Sequence, residues 1–310
     1  MTATAFVKPG PASRLVNGLL SIKPLANFAR SRARKMMIER AESMGIPWRK
    51  TAAELQSRDW SAELAQVSNP NLTYPAYYLN PFHAYPDGNL GWEPASEVEV
   101  AAYSVHSTIF GEKTPEGDAK LRAAYHDVLQ ATVAIEPREI VDLGCSVGMS
   151  TFALQRIYPQ AQLTGVDLSP NFLAVAAYNT HHSPMNPDRA QPHWVHAAAE
   201  NTGLPAASYD LVSACLLYHE LPQTAAIAIL QEARRLLKPG GYLGIMDMNP
   251  KSQIYAQMPP YILTLLKSTE PFLDQYFALD LGEAIEQAGF ELVTVQETTV
   301  RHRALVARAH

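Results

Sequence analysis

The stretch "VDLGCSVGMST", Val141–Thr151, decides how the rest of the chain is read. A β-rich run, "REIVDLGC", leads into it shortly after Pro137, and helical spacing follows Gly148. The stretch is therefore expected to carry a first strand through a turn into a helix. Glycines at 144 and 148 keep Cβ atoms out of that turn, so its backbone N–H groups can approach a ligand closely. A dinucleotide-binding turn, Gly-x-Gly-x-x-Gly, would need glycines at 144, 146 and 149. Ser146 and Met149 stand at the last two. The spacing present is Asp-x-Gly-x-x-x-Gly, with Asp142 two residues ahead of the first glycine. A carboxylate there repels a pyrophosphate and attracts a cation.

A second acid points the same way. Asp167 ends the next β-rich run, in "TGVDLSP", where a carboxylate can accept both hydroxyls of a ribose. Two acids and a glycine turn at one rim of a sheet suit a ligand that carries an ammonium, a sulfonium and a ribose. S-adenosylmethionine (SAM) is such a ligand.

Composition frames this reading. The chain has 310 residues, 47% of them hydrophobic and 18% charged, which describes a globular protein with a large core. No apolar run approaches the ~18–20 residues of a membrane span. Two cysteines, Cys145 and Cys215, exclude a disulfide framework and suit a reducing compartment, so a cytoplasmic location is expected. The net charge of −5 is uneven: residues 1–58 hold eleven Lys and Arg against three Glu. A basic stretch such as "LANFARSRARKMMIER" (Leu25–Arg40) can pack on the acidic body of its own protein, touch anionic lipid, or meet nucleic acid. An acid-free, Arg-rich start also imitates an organelle transit peptide, although serine enrichment and a cleavage site are missing.

Along the chain, residues 12–66 read as helix broken at Pro24 and at "GIPW". Residues 68–94, "SNPNLTYPAYYLNPFHAYPDGNLGWEP", carry too many prolines for a regular helix and too many large rings to lie idle in solvent. They read as a lid or a pocket wall. Residues 95–134 return to helix, and from Ile135 β-rich runs alternate with helical ones, the pattern of a parallel sheet covered on both faces. Ligands of such a sheet gather at the carboxyl ends of its strands. The tail "FELVTVQETTVRHRALVARA" reads as an antiparallel hairpin at a sheet edge.

With those runs in order, "VDLGCSVGMST", "GVDLSPNFL", "AENTGLPAASYDLVSACLLYHELP" and "EARRLLKPGGYLGIMDM" resemble the successive motifs of class I SAM-dependent methyltransferases. The resemblance covers roughly residues 120–310 and is nearest to ubiquinone/menaquinone C-methyltransferase-like enzymes. "YYLNPFHAYPDGNLGW" is similar to a plant and cyanobacterial subgroup. The resemblance implies an α/β, Rossmann-like seven-stranded methyltransferase sheet, mostly parallel, with a C-terminal antiparallel hairpin. Residues 1–116 would form a helical extension and aromatic lid, and residues 117–310 the SAM-binding domain.

Carried onto this chain, the resemblance makes Gly144, Cys145, Ser146 and Gly148 the platform for the methionine part of SAM. Asp142 would organise the loop and the ammonium, Asp167 would hold the ribose, and Leu168 would pack on the adenine. Alanines stand where an acid or amide is common after the third strand, so backbone groups around Ala199 and Glu200 are expected to serve the adenine, with Leu216 nearby after the fourth strand. In "LLYHELP", His219 and Glu220 are the candidate bases, with the lining of the cofactor pocket as the other reading. Tyr218 reads as a pocket wall. Asp247 and Asn249 either bind a polar acceptor or close the turn before Pro250. Tyr77, Tyr78, His83 and Tyr85 are the substrate candidates of the lid. "RHR", Arg301–Arg303, either anchors an acidic substrate or forms a solvated turn.

No metal-binding spacing is evident, and "HH" at 181–182 reads as a helix end, so no metal is expected. Cys145 and Cys215, near the ends of neighbouring strands, are two reduced core thiols or a pair whose oxidation blocks SAM. The expected activity is transfer of a methyl group to a small organic acceptor, with peripheral membrane contact through the basic arm open and nucleic acid not expected. The alternatives are methylation of protein or RNA, and a non-catalytic SAM-binding regulator.

Overall fold

The computed structural model describes residues 23–83, 85, 87–182, 190–267 and 269–310; the start of the basic arm lies outside them. The N-terminal part contains α1 (Lys23–Glu42), α2 (Trp48–Gln56), α3 (Ser61–Val67), α4 (Trp92–His106) and α5 (Gly117–Thr132). Pro24 does not break α1. It sits in the first turn, where its missing N–H has no helical partner to lose. The break comes at Gly45, whose φ of 80° suits glycine best. Within the basic stretch, Arg34 is engaged by Glu93 (2.8 Å) and Glu97 of α4, as expected of an arm packed on its own protein. Between α3 and α4 the described residues make short 3₁₀ turns, Ala76–Leu79 and Gly88–Leu90, and an isolated bridge between Phe82 and Tyr85.

The sheet follows. Its strands are β1 (Glu139–Leu143), β2 (Gln162–Asp167), β3 (His193–His196), β4 (Tyr209–Cys215), β5 (Leu237–Met248), β6 (Phe290–Glu297) and β7 (His302–Ala309), in the order β3-β2-β1-β4-β5-β7-β6. The first five run parallel. The hairpin forms as expected, but β7 inserts antiparallel between β5 and β6, so β6 is the edge. The linking helices are α6 (Met149–Ile157), α7 (Pro170–His182) and α8 (Gln223–Leu236). A run of short helices, α9 (Gln253–Ala256), α10 (Pro260–Lys267), α11 (Leu273–Ala278) and α12 (Leu281–Gln287), fills the stretch before β6.

Burial explains the layering. Apolar residues of α8, α11 and α12 pack on one face of the sheet around Val212, Leu243 and Leu305. Those of α5 and α6 pack on the other around Ile140, Leu163 and Leu211. Close packing requires glycine at Gly244, where a Cβ would lie 2.6 Å from both the Tyr125 hydroxyl and Leu129 Cδ2. Register aligns the strand ends: Leu143 pairs with Val166 on one side and Ala214 on the other, which brings the β1, β2 and β4 turns to one rim. Among the described residues no helix is long and apolar enough to cross a membrane.

Candidate active site

A cavity of about 750 Å³ opens at that rim. Its floor is the β1 turn, where Gly144 (φ 69°), Ser146 (φ 50°) and Gly148 (φ 88°) all take left-handed backbone. Gly148 must lack a Cβ, which would meet Phe152 and Trp194 at 2.8 Å. Among the described residues four non-glycines have positive φ, and three of them line the cavity: Ser146, Leu216 and His83. Backbone strain collects where a site over-determines its geometry.

Asp142 is fully buried beneath the turn. Its Oδ2 accepts the hydroxyls of Ser150 (2.6 Å) and Thr151 (2.7 Å) at the start of α6, while its Oδ1 has no partner. Burial pushes its pKa up to about 6, against the pull of those hydroxyls. Asp167 accepts backbone N–H bonds from Ser146 and Ser169, both 2.8 Å, and burial raises it too, to about 6. It thus joins the two turns and faces the cavity. Cys145, Leu168, Ala199 and Leu216 complete this end of the lining.

The expectations for Asp142, Gly148 and Glu200 shift in one respect: none of the three lines the cavity. Asp142 and Gly148 support the turn from behind. The Tyr77 hydroxyl donates its one hydrogen to the Glu200 carboxylate, lying 2.7 and 2.9 Å from its two oxygens, so Glu200 anchors the lid. The lid is clamped elsewhere as well. His196 Nδ1 accepts from Asn69 N (2.9 Å), and its Nε2 lies 3.3 Å from the Tyr74 hydroxyl. Tyr85 donates to Glu97 (2.8 Å). Tyr77, Tyr78, His83 and Tyr85 all line the cavity, and the Tyr78 pKa is raised well above its ordinary value, first by burial and then by Asp167.

The polar wall beyond the β4 end differs most from expectation. Tyr218 is not a pocket wall; it is wholly buried in the sheet core. Asp247 and Asn249 do not reach the mouth. Asp247 is fully buried and accepts from Tyr218 N (2.7 Å), His219 Nδ1 (2.7 Å) and Met248 N (2.7 Å). Asn249 turns to Glu297 (3.0 Å) on β6. His219 and Glu220 do line the cavity. Burial pulls the His219 imidazole down, but Asp247 outweighs it and holds the pKa at about 10. A neutral imidazole base at physiological pH is therefore not what this arrangement provides.

Three further features were hidden in the sequence. Glu270, between α10 and α11, comes within 3.0 Å of His83 Nε2, and Glu220 within 3.4 Å. One potential ligand atom each from His83, His219 and Glu270 lies within 4.8 Å of the others, a cluster that no sequence spacing announces. Arg122 of α5 also lines the cavity, paired with Asp118 (2.8 Å) and reaching Cys215 Sγ (3.4 Å) and Met149 Sδ (3.9 Å). Its contacts to two soft sulfurs leave it suited to a stronger anionic partner. From the "RHR" turn, Arg301 and His302 line this cavity, while Arg303 turns to a smaller cleft beside Asn249. The two cysteines are buried and free; burial raises the pKa of both, that of Cys215 to about 12. Thiols held protonated are poor sites for oxidation, in keeping with two reduced core cysteines.

A methyltransferase-domain family model matches residues 140–241, which span β1, the glycine turn, Asp167 and the start of β5. Over that span the chain carries a methyltransferase domain. Similar proteins include an uncharacterised methyltransferase of Synechocystis, 29% identical over 170 residues, covering 54% of this chain and 74% of that protein. A ubiquinone biosynthesis O-methyltransferase of Xanthomonas campestris is 29% identical over 173 residues, covering 54% of this chain and 69% of that one. Phosphoethanolamine N-methyltransferase 2 of Haemonchus contortus, solved with SAM, shares the fold at a TM-score of 0.50 and 15% identity, covering 68% of this chain and 57% of that one. The methyltransferase match falls on β1 to β4 and their rim; the lid, α1 to α4, β6 and β7 lie outside the matched residues.

Proposed function

We propose that this methyltransferase acts on a small organic acceptor with an apolar body and at least one polar group. One observation carries the reading: the cavity is continuous from the glycine turn and Asp167 into an apolar chamber walled by Met37, Val98, Val105, Met258, Ile262 and Leu266. That chamber lies beneath the lid and suits a compact molecule better than a folded macromolecule.

The residues at the rim fit SAM. Gly144, Ser146 and Ser150 flank the seat of the methionine part, with the unpartnered Asp142 Oδ1 beneath them and the Arg122 guanidinium to meet its carboxylate. Asp167 offers a buried carboxylate for the ribose hydroxyls, and Leu168 with Phe172 an apolar slot for the adenine. When bound, SAM supplies a methyl group made electrophilic by the positive sulfur. The protein's own contribution is alignment and exclusion of water, and alignment of reacting groups can lower a barrier by several kcal/mol. The Tyr77–Glu200 and Tyr85–Glu97 hydrogen bonds hold the lid over the chamber. Glu220, whose pKa burial raises, is better placed than His219 to take a proton from an acceptor.

The relative from ubiquinone biosynthesis supports a hydroxylated aromatic acceptor with an isoprenoid tail as the first class to try. In cell extract incubated with methyl-labelled SAM, label is expected in the organic-extractable small-molecule fraction. Label confined to protein or RNA would contradict the reading.

A further inference from the structure

We propose that His83, His219 and Glu270 form a binding site for a divalent transition-metal ion inside the acceptor chamber, with Glu220 as a fourth, outer oxygen. The three groups come from the lid, the β4 turn and the segment between α10 and α11, yet their potential ligand atoms all lie within 4.8 Å of one another. Zinc–nitrogen bonds are about 2.0–2.1 Å, so two ligands of one ion stand at most about 4.2 Å apart. Closing the set takes a side-chain adjustment of less than about 1 Å.

Each ligand is prepared in its own way. The Asp247 carboxylate engages His219 Nδ1 at 2.7 Å, which leaves Nε2 as the nitrogen an ion would take in exchange for its proton, the carboxylate–histidine–metal arrangement of many sites. The left-handed backbone of His83 (φ 46°) and the bond from its N–H to Thr269 O (3.2 Å) fix that residue against the Glu270 segment. Glu270 is 93% shielded from solvent by its 7% relative exposure, and its Oε2 has no hydrogen-bond partner. A buried carboxylate oxygen without a partner is costly and marks a missing ligand. His83 Nε2, with room for one hydrogen, faces Glu270 at 3.0 Å and Glu220 at 3.4 Å, so a single proton cannot serve both carboxylates in full.

Two imidazoles and a carboxylate suit Zn²⁺, Fe²⁺, Mn²⁺ or Co²⁺ and leave coordination positions open toward the cavity. Those positions would take an oxygen of the acceptor, either a hydroxyl or a carboxylate, and orient it. That role rests on the proposed function; the binding of the ion does not.

The test uses the full chain, stripped with a chelator and titrated with Co²⁺ and then Zn²⁺. One Co²⁺ per chain with visible absorption bands, displaced by Zn²⁺, is expected. His83→Ala and Glu270→Gln should each weaken binding at least tenfold while SAM binding by calorimetry stays within twofold. His181→Ala/His182→Ala, a control for the exposed histidine pair, should change nothing. Wild-type binding no tighter than that of His83→Ala, or binding lost in the His181/His182 control instead, would overturn the inference. His83, partly exposed, is the variant least exposed to a folding defect and settles the matter if Glu270→Gln does not fold. An intact SAM isotherm without cobalt binding sinks this site alone; cobalt binding without SAM binding sinks the proposed function alone.

Discussion

Asp167 ties the Ser146 and Ser169 backbones together with one carboxylate, and a ribose would draw on the same group. Asp167→Ala is expected to lower SAM affinity by roughly 10- to 100-fold, since a hydrogen bond to a charged group contributes about 1.5–3 kcal/mol. Calorimetry measures it. The pH dependence has a definite sign. Asp142 and Asp167 titrate at about 6 in the folded protein and at about 3.9 in an unfolded chain. Between those values the folded state binds more protons, so these groups lose stability as pH rises through that window. Melting temperatures of wild type relative to Asp167→Asn should therefore fall from pH 5 to pH 7. SAM affinity should run the other way, tightening from pH 5 to 7 as the carboxylates ionise; a flat profile would count against their electrostatic role. Arg122 tests a different link. Arg122→Met leaves the buried Asp118 with His106 (2.8 Å) as its remaining partner, a loss of up to about 3–5 kcal/mol, and adding Asp118→Asn should restore most of it in denaturant titrations.

At the scale of elements, the sheet was legible because its signals are local. Strand, glycine turn and helix follow one another within "VDLGCSVGMST", and the β2 acid repeats the logic one unit later. The lid was legible as a segment, since its prolines forbid regular helix. Its anchors were not, because Glu200 and His196 lie 123 and 122 residues from Tyr77 and Tyr74, and nothing in the sequence marks Glu97 of α4 as the partner of Tyr85. Asp247 was misread for a related reason: chain order gives the end of β5 but not that the carboxylate folds back onto the Tyr218–His219 turn. The short helices between β5 and β6 carry no motif at all, and with them Glu270 stayed hidden. Tyr77→Phe should release the lid by about 1 kcal/mol, seen as faster hydrogen exchange in residues 68–83 and a higher acceptor KM with SAM affinity little changed. Gly244→Ala should destabilise the fold by about 1–3 kcal/mol through overpacking against Tyr125 and Leu129, with no specific effect on the cavity.

For the molecule as a whole, the parallel half of the sheet supplies the rim, and the added N-terminal helices and the helices before β6 enclose it. Cofactor seat and apolar chamber thus become one space of about 750 Å³. Residues of α1, α4, the lid and α10 line the chamber and lie outside the residues matched to the family model, so under the proposed function acceptors of relatives are starting points for screening. The central claim is that a bend stripped of side chains and two buried carboxylates make a seat for a positively charged methyl donor. Titration calorimetry of the purified chain with SAM tests it most directly. One molecule bound per chain, with binding weakened at least tenfold in Asp167→Ala, is the predicted result; no heat with SAM or S-adenosylhomocysteine, alongside clear binding of a nicotinamide dinucleotide, would contradict it.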